Sequence, residues 1–298
     1  MSTNMTPADR PAAGLVDRTG SGISEGVIAQ AERLAAEAAT RSRVEVRTVA
    51  DTGQQHLASD VLQRIWSHDG GSPLPPELLR AFDFTGNYVG AAYDGAQIVG
   101  VATAFLTDHR ALHSHIAGVL PSHQGRSIGY VLKLHQRAWA MRHGIRTIAW
   151  TFDPLVRRNA HFNLIKLGAA VAEYLPDFYG ELADGVNTGD RSDRLLAEWD
   201  LLAPVPGKSL NSARNVSWAL IVGADGEPLV HRVTDDLRAV QVPPDVEAIR
   251  RADPALGRQW RAALRSVFAD AFADGHRIIG LDRTDAYVTQ KDKQKEQQ

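Results

Sequence analysis

The chain has 298 residues, of which 44% are hydrophobic and 23% are charged, and its formal net charge is −2. A chain so close to neutral has no overall field that would draw it to nucleic acid or to an anionic membrane, so we expect neither partner. It contains no cysteine, which excludes disulfides, thiolate nucleophiles and metal sites that need thiolate ligands. No apolar run reaches the ~20 residues of a membrane helix, and the polar first residues do not resemble a signal peptide. These features predict a cytoplasmic globular protein.

Hydrophobic periodicity and turn residues predict helices and strands along most of the chain. Helices are predicted at residues 25–42, 51–67, 75–82, 126–143, 156–167 and 254–274, with a further helix from about residue 244. Strands are predicted at residues 44–49, 88–93, 97–106, 113–120, 146–152, 169–175, 195–202, 216–222, 229–233 and 278–281. This order of a strand, two helices, a meander of strands and then alternating helices and strands predicts an α/β fold, of the α+β kind with a mixed sheet.

Composition divides the chain into four parts. Residues 1–43 are predicted to be a polar tail with an appended helix, and residues 44–203 the main domain. The segment 204–208 has the proline and glycine content of a linker, and residues 209–283 are predicted to be a small α+β domain. Residues 284–298 are predicted to be a disordered tail because their end is almost entirely polar.

The loop between the strand at 113–120 and the next helix is the segment most informative about function. Backbone N–H groups at the start of a helix have no internal partner, and with the helix dipole they form an anion site suited to a diphosphate. Small residues at Gly125, Ser127 and Gly129 would let phosphate oxygens approach the backbone, and Arg126 adds a cation nearby. The alternative is an ordinary strand-to-helix turn whose glycines serve packing alone.

The sequence Val119-Leu-Pro-Ser-His-Gln124-Gly-Arg-Ser-Ile-Gly129 resembles the acyl-CoA-binding segment of the GNAT superfamily of acyltransferases. In that family the segment reads Arg or Gln, two residues, Gly, one residue, and then Gly or Ala. Gln124 and Gly129 match its two ends, whereas Ser127 stands where the family usually has its first glycine. Further segments resemble a subgroup of predicted GNAT acetyltransferases with a C-terminal extension, so that the resemblance spans roughly residues 44–282; they lie at 150–154, 159–163, 166–168, 192–194, 242–245 and 259–261.

The resemblance implies a GNAT-type domain at residues 44–203, which uses acetyl-CoA or another acyl-CoA as co-substrate and needs no metal. It implies transfer of the acyl group, acetyl by default and succinyl as an option, to a primary amine of a small metabolite or amino acid, without a covalent enzyme intermediate. The alternative is a CoA-binding regulatory protein that has lost catalysis on the same fold. The oligomeric state is open, and a homodimer is one option. The cofactor contacts that it implies are Val119, Gln124, Gly125, Arg126, Ser127, Ile128, Gly129, Asn159 and Asn163.

Transfer by direct attack requires a neutral amine, so a base must remove a proton from the ammonium form. His115, on the predicted strand four residues before Val119, is the first candidate because an ordinary histidine pKa suits the task. A hydrogen-bonded structural role is its alternative. Asp153, at the end of a predicted strand, is a second candidate, and a cap of the following helix is its alternative role. The N–H of Val119 is expected to polarise the thioester carbonyl.

The leaving thiolate needs a proton donor, and here the sequence departs from the family. The family's usual acid is a tyrosine four residues before the glycine that ends the helix, and counting back from Gly168 gives Leu164, which cannot donate. Tyr179 is the predicted substitute, with Asn163 and Tyr174 as alternatives, unless the thiolate leaves unassisted.

Two further predictions concern ligand contacts. Arg194 is predicted to bind a substrate carboxylate, and an ion pair with Asp193 or another internal acid is the alternative. Asn159 and Asn163 lie four residues apart on one helical face, where they are predicted to contact the pantetheine arm; capping or surface roles are the alternative.

Overall fold

The computed structural model describes residues 22–66, 71–107, 111–180, 191–205, 210 and 216–292. Some of the sequence-based predictions fall outside these ranges. They concern the first 21 residues, the linker residues 206–208 and the residues from 293 onwards. Within the described ranges, no helix has both the length and the apolar character needed to cross a lipid bilayer.

The strands of the chain up to residue 200 form one seven-stranded sheet, in which they lie in the order β1-β2-β3-β4-β5-β7-β6. All neighbouring strands in it are antiparallel except β4 and β5, which are parallel. The prediction of a mixed α/β fold is therefore confirmed. The strands are β1 (Glu45–Thr48), β2 (Tyr88–Asp94), β3 (Gln97–Leu106), β4 (Leu112–Val119), β5 (Thr147–Phe152), β6 (Ala170–Leu175) and β7 (Arg194–Asp200).

Helices cover both faces of this sheet, and the side chains of its central strands alternate between them. Val89 and Ala91 of β2 join the core under α2 and α3, whereas Tyr88 and Ala92 join the core under α1 and α4. Apolar residues on both faces explain why β2 and β3 are almost entirely buried. The helices are α1 (Glu25–Ser42), α2 (Thr52–Trp66), α3 (Pro76–Phe84) and α4 (Ile128–Arg142).

A second sheet of five strands follows, in the order β11-β12-β10-β8-β9. Two helices accompany it, and Asp253 caps the longer one by accepting the N–H groups of Ala255 and Leu256. Trp260 on that helix and Trp199 on β7 belong to the same hydrophobic core, so the two sheets share one interior. These elements are β8 (Ser217–Val222), β9 (Pro228–Val230), β10 (Leu237–Val240), α6 (Val246–Ala252), α7 (Pro254–Ala273), β11 (His276–Leu281) and β12 (Tyr287–Lys291).

The C-terminal prediction was wrong where it placed a disordered tail from residue 284. Tyr287–Lys291 forms β12, which pairs with β10 on one side and β11 on the other. Its first three residues are buried although the segment looks polar, because strands pair with it on both sides. The short strand β10 (Leu237–Val240) was not predicted either.

Two helices near the loop differ from their predicted form. The helix predicted at 126–143 begins at Ile128, which leaves Arg126 and Ser127 in the loop. The helix predicted at 156–167 is a single turn, α5 (Arg157–Ala160), continued by a π-helical segment at His161–Lys166.

Candidate functional site

The main sheet opens between β4 and β5. Only Leu112 with Ile148 and His113 with Ala149 are paired between these strands, whereas β4 stays paired with β3 as far as Val119. Beyond the last pair, a cavity of about 780 Å³ is lined by the end of β4, the loop before α4, the start of α4 and α5. This volume is in the usual range of small-ligand sites, roughly 300–1,000 Å³. We call this opening the fork.

The loop before α4 turns a row of backbone N–H groups towards this cavity. Gly125 and Ser127 have φ angles of 81° and 60°, which is the left-handed conformation that glycine adopts without cost. Ser127 is the N-cap of α4, but its side chain does not cap the helix. Within the described residues, the N–H groups of residues 125–129 donate to no acceptor. Such a concave row of unpaired N–H groups at a helix start fits a diphosphate.

All the predicted loop contacts except Arg126 line the cavity, as does Val119. These loop contacts are Gln124, Gly125, Ser127, Ile128 and Gly129. The guanidinium of Arg126 donates instead to Asp94 Oδ2 at 2.6 Å and to the carbonyl oxygen of Ser42 at 3.1 Å. It thereby ties the loop to the end of α1 and to the β2–β3 turn. The structure therefore does not place the Arg126 side chain at the predicted phosphate site.

A second wall of the cavity is basic. Arg157, Arg158, His161 and Lys166 of α5 and the π-helical segment line it, as does Asn159. The other predicted pantetheine contact, Asn163, lies elsewhere: it is buried, and its carbonyl oxygen accepts the N–H of Ala169 at 3.0 Å. Cationic side chains facing a row of free N–H groups make the cavity suited to an anionic ligand.

Residues 56–166 match the model of the acetyltransferase (GNAT) family. The matched residues contain the fork, the loop before α4 and the basic wall. The second sheet lies beyond them.

Solved structures of GNAT acetyltransferases align with about half of this chain. The acetyltransferase of the GNAT family from Streptococcus pneumoniae is 16% identical, and the alignment covers 52% of this chain and 97% of that one with a TM-score of 0.44. The ribosomal-protein-S18-alanine N-acetyltransferase from Escherichia coli is 15% identical, with 56% and 98% covered and a TM-score of 0.42. A GNAT family acetyltransferase from Elizabethkingia anophelis with acetyl-CoA bound is 14% identical, with 53% and 98% covered and a TM-score of 0.43. No curated protein shows significant similarity to the chain.

His115 lies at an irregularity of β4, within the matched residues. Ala104 pairs with Ser114 and Thr103 with Ile116, so His115 has no direct partner on β3. Such a bulge re-aims a side chain and leaves its strand position unpaired. His115 packs beside the Phe105 ring, with centroids 5.7 Å apart, and partial burial lowers its pKa. The imidazole is therefore neutral near pH 7, the form that accepts a proton.

Tyr179 and Arg194 come together beside β5. The hydroxyl groups of Tyr179 and Thr151 are 3.2 Å apart, and the Arg194 guanidinium carbon lies 5.1 Å from the centroid of the Tyr179 ring. Arg194 Nε is buried without a hydrogen-bond partner in the described part of the chain. The alternative pairing of Arg194 is not observed, because Asp193 binds Arg265 and Tyr174 instead.

His113 and Thr151 lie on the same side of the sheet. Their neighbours Ser114 and Trp150 both contact Lys133 of α4, so the alternate residues of β4 and β5 point to the side away from α4. The candidate base His115 follows a bulge next to His113, and Tyr179 meets Thr151 there. We call this surface, with His113, His115, Thr151, Tyr179 and Arg194, the distal face of the fork.

Asp153 has a structural position. Its carboxylate accepts hydrogen bonds from Arg250 at 2.9 Å and Arg261 at 2.7 Å, and from the N–H of Leu155 at 2.9 Å. Burial raises the pKa of Asp153, but the two guanidinium groups and their hydrogen bonds outweigh it and bring the pKa to about 2. A carboxylate held ionised in this way is a poor proton acceptor near pH 7. Asp153 does not cap α5 either, because the N-cap of that helix is Val156 and no side chain caps it; the carboxylate instead joins two buried guanidinium groups.

Leu164, which stands at the family's usual acid position, is buried in the hydrophobic core. Tyr174 is engaged elsewhere, since its hydroxyl donates to Asp193 at 2.7 Å; burial, first, and then this carboxylate raise its pKa. Among the described residues, no group of three or more potential metal ligands occurs.

Sequence reasoning missed Lys133. Its amine is buried at the point where β4 and β5 separate, 2.7 Å from Ser114 Oγ and 3.9 Å from the centroid of the Trp150 ring. Burial lowers its pKa to about 7. The available signal was its place among the apolar residues of α4, which is unusual for a lysine without a partner of opposite charge.

Proposed function

We propose that this protein transfers an acyl group, acetyl by default and succinyl as an option, from acyl-CoA to a primary amine of a small metabolite or amino acid. The observation that carries the proposal is the row of unpaired N–H groups at residues 125–129, which borders a cavity at the fork of the main sheet. The match of residues 56–166 to the GNAT family supports the same chemistry.

The donor site divides between backbone and side chains. The N–H groups of residues 125–129 bind the diphosphate of the donor, because they are aligned with the dipole of the 15-residue helix α4. Val119, at the end of β4, lies between this loop and the fork, and its N–H is proposed to polarise the thioester carbonyl as negative charge develops on the oxygen. Asn159 on the other wall is proposed to bind the amide groups of the pantetheine arm.

The acceptor approaches from the distal face in this proposal. His115 removes the proton of the attacking ammonium group, directly or through water, because its neutral form predominates near pH 7. Tyr179 supplies a proton to the leaving thiolate, and Thr151 orients the phenol. Arg194 binds a carboxylate of the acceptor, because its Nε has no other acceptor among the described residues. An α-amino acid carries both the amine and the carboxylate that this face recognises.

Paired substitutions at Ser127 test the donor site. Asp and Asn both tolerate the left-handed conformation found at this position, and they differ only in charge. Ser127→Asp places a carboxylate against the diphosphate and is expected to weaken acetyl-CoA binding by about 10-fold or more relative to Ser127→Asn, measured by calorimetry. Equal affinities of the two variants would contradict the proposed position of the diphosphate.

A second function is favoured by one observation. Leu164 occupies the usual acid position and is buried in the core, which suits a CoA-binding regulatory protein without catalysis. Turnover of acetyl-, succinyl- and malonyl-CoA with a panel of amines separates the two functions. Catalysis predicts a fall in kcat of about 10²-fold or more in His115→Gln and a smaller fall in Tyr179→Phe. CoA binding without any thioester cleavage would support the regulatory function instead.

A further inference from the structure

The cavity includes residues that lie outside the range 56–166. Asp285 and Pro244 both line it, and Asp285 belongs to the turn between β11 and β12. Asp282 fixes this turn: its Oδ1 accepts the N–H groups of Thr284 and Ala286 at 2.8 and 3.0 Å and the hydroxyl of Thr284 at 2.7 Å. The C-terminal region therefore presents a rigid turn to the basic wall of the cavity.

This turn holds Arg157. One terminal nitrogen, Nη2, donates to the carbonyl oxygen of Thr284 at 2.8 Å, and Nε lies 3.4 Å from Asp285 Oδ2. Within the described residues, Nη1 has no acceptor, although the side chain lines the cavity. The guanidinium is thus fixed on one edge and open on the other.

The neighbouring Arg158 provides a contrast. Both of its terminal nitrogens bind the carboxylate of Glu247, one to each oxygen. His161 is also occupied, since its Nδ1 lies 2.7 Å from Asp285 Oδ1. Lys166 lines the cavity, and no carboxylate in the described part of the chain lies within ion-pair distance of its amine. Among the described residues, the cationic groups of this wall that remain open are therefore Arg157 Nη1 and the amine of Lys166.

Acyl-CoA has two anionic centres, the diphosphate and the 3′-phosphate of the ribose, and the row of N–H groups at residues 125–129 accounts for one. We propose that Arg157, held in place by the β11–β12 turn, binds the ribose 3′-phosphate of the donor, with Lys166 as a second contact. The inference rests on the proposed function. It makes the C-terminal region a part of the donor site, and it selects acyl-CoA over acyl carriers that end in a phosphopantetheine.

The full-length chain is titrated with acetyl-CoA and with 3′-dephospho-acetyl-CoA by calorimetry. The wild type is expected to bind acetyl-CoA about 10- to 100-fold more tightly, the range of a charge-assisted contact to a phosphate. Arg157→Gln is expected to reduce this preference to about threefold or less while its affinity for the dephospho compound stays that of the wild type. That unchanged affinity also shows that the variant is folded.

Arg158→Gln is the matched control on the same helical turn, and it is expected to keep the wild-type preference because its guanidinium is already bound to Glu247. A loss of preference as large as in Arg157→Gln would reveal a diffuse charge effect and overturn the assignment. A wild type that binds both compounds equally would overturn the inference and leave the proposed function standing. A wild type that binds neither would instead refute the proposed function.

Asp285→Ala tests the role of the turn as a positioning element. Removal of the carboxylate frees one edge of Arg157, so the preference for acetyl-CoA is expected to fall below that of the wild type, whereas the affinity for the dephospho compound is retained. A general loss of structure would weaken the binding of both compounds alike. A preference that rises above the wild-type value would show that Asp285 opposes the phosphate, and this would overturn its positioning role.

Discussion

Replacement of Lys133 by methionine should change the dependence of stability on pH. Lys133 is 5% exposed, and no carboxylate in the described ranges forms an ion pair with its amine, so burial lowers its pKa from 10.5 to about 7. In the unfolded chain the same amine is protonated up to a pH of about 10.4. The folded state therefore binds fewer protons than the unfolded state between these two pKa values, and stability rises with pH across this window.

The size of the effect follows from the two pKa values. A shift of about 3.5 units corresponds to roughly 5 kcal/mol of destabilisation well below pH 7, where both states are protonated, at 1.36 kcal/mol per unit. Between pH 7 and pH 9 the wild type is expected to gain about 2 kcal/mol from this group alone. Lys133→Met has no titrating group here and should lack this gain. Its lost hydrogen bond to Ser114 and its altered packing shift the stability by similar amounts at both pH values.

The assay is urea unfolding of both proteins at pH 7 and pH 9, and the quantity compared is the difference in unfolding free energy between variant and wild type. This difference should move by about 2 kcal/mol in favour of the wild type as the pH rises. Lys166→Met removes an exposed lysine and is expected to show no such change. A Lys133→Met difference that is constant over this range would show that Lys133 stays charged in the fold, stabilised by the Trp150 ring, and would refute the reasoning.

Two further predictions concern Asp153 and Arg194. Asp153→Ala removes the shared partner of two buried guanidinium groups, so the free energy of unfolding at pH 7 should fall by about 3–5 kcal/mol. In the wild type the lowered pKa of Asp153 stabilises the fold above pH 4. Roughly 2 kcal/mol of this stability should be lost as the pH falls from 4 to 2. Acid unfolding of the wild type and of Asp153→Ala measures this loss. Arg194→Gln should raise the KM for a carboxylate-bearing amine by about 10- to 100-fold and leave the KM for an amine without a carboxylate unchanged. Equal effects on both amines would show that Arg194 does not bind the carboxylate of the acceptor.

The loop at 121–129 shows how much of the site is local. A strand that ends before Pro121, small residues at Gly125 and Gly129 and a periodic helix after them are all visible within about 20 residues of sequence. Backbone hydrogen bonding and side-chain periodicity act over that distance. The position of the unpaired N–H groups and the order of strands and helices along the chain could therefore be predicted.

Ion pairs could not be predicted in the same way. Asp153 meets Arg250 and Arg261, which are 97 and 108 residues away along the chain, and nothing in its local sequence identifies these partners. Arg126 looks like a phosphate contact in the sequence, but Asp94 and the end of α1 hold its guanidinium. Which charge a side chain meets depends on how distant elements pack, and several arrangements satisfy one pattern.

The sequence by itself determined the mixed order of strands and helices and the loop that the proposed donor site uses, because hydrogen bonding within a helix and alternation along a strand are local. Only the tertiary structure decided that β12 completes the second sheet and that its turn reaches Arg157, since Gln290 of β12 pairs with Leu237 of β10 and the carbonyl oxygen of Thr284 accepts from Arg157, which is 127 positions away. It also decided that Lys133 loses its hydration at the fork, because the strands and the ring that enclose the amine come from separate parts of the chain.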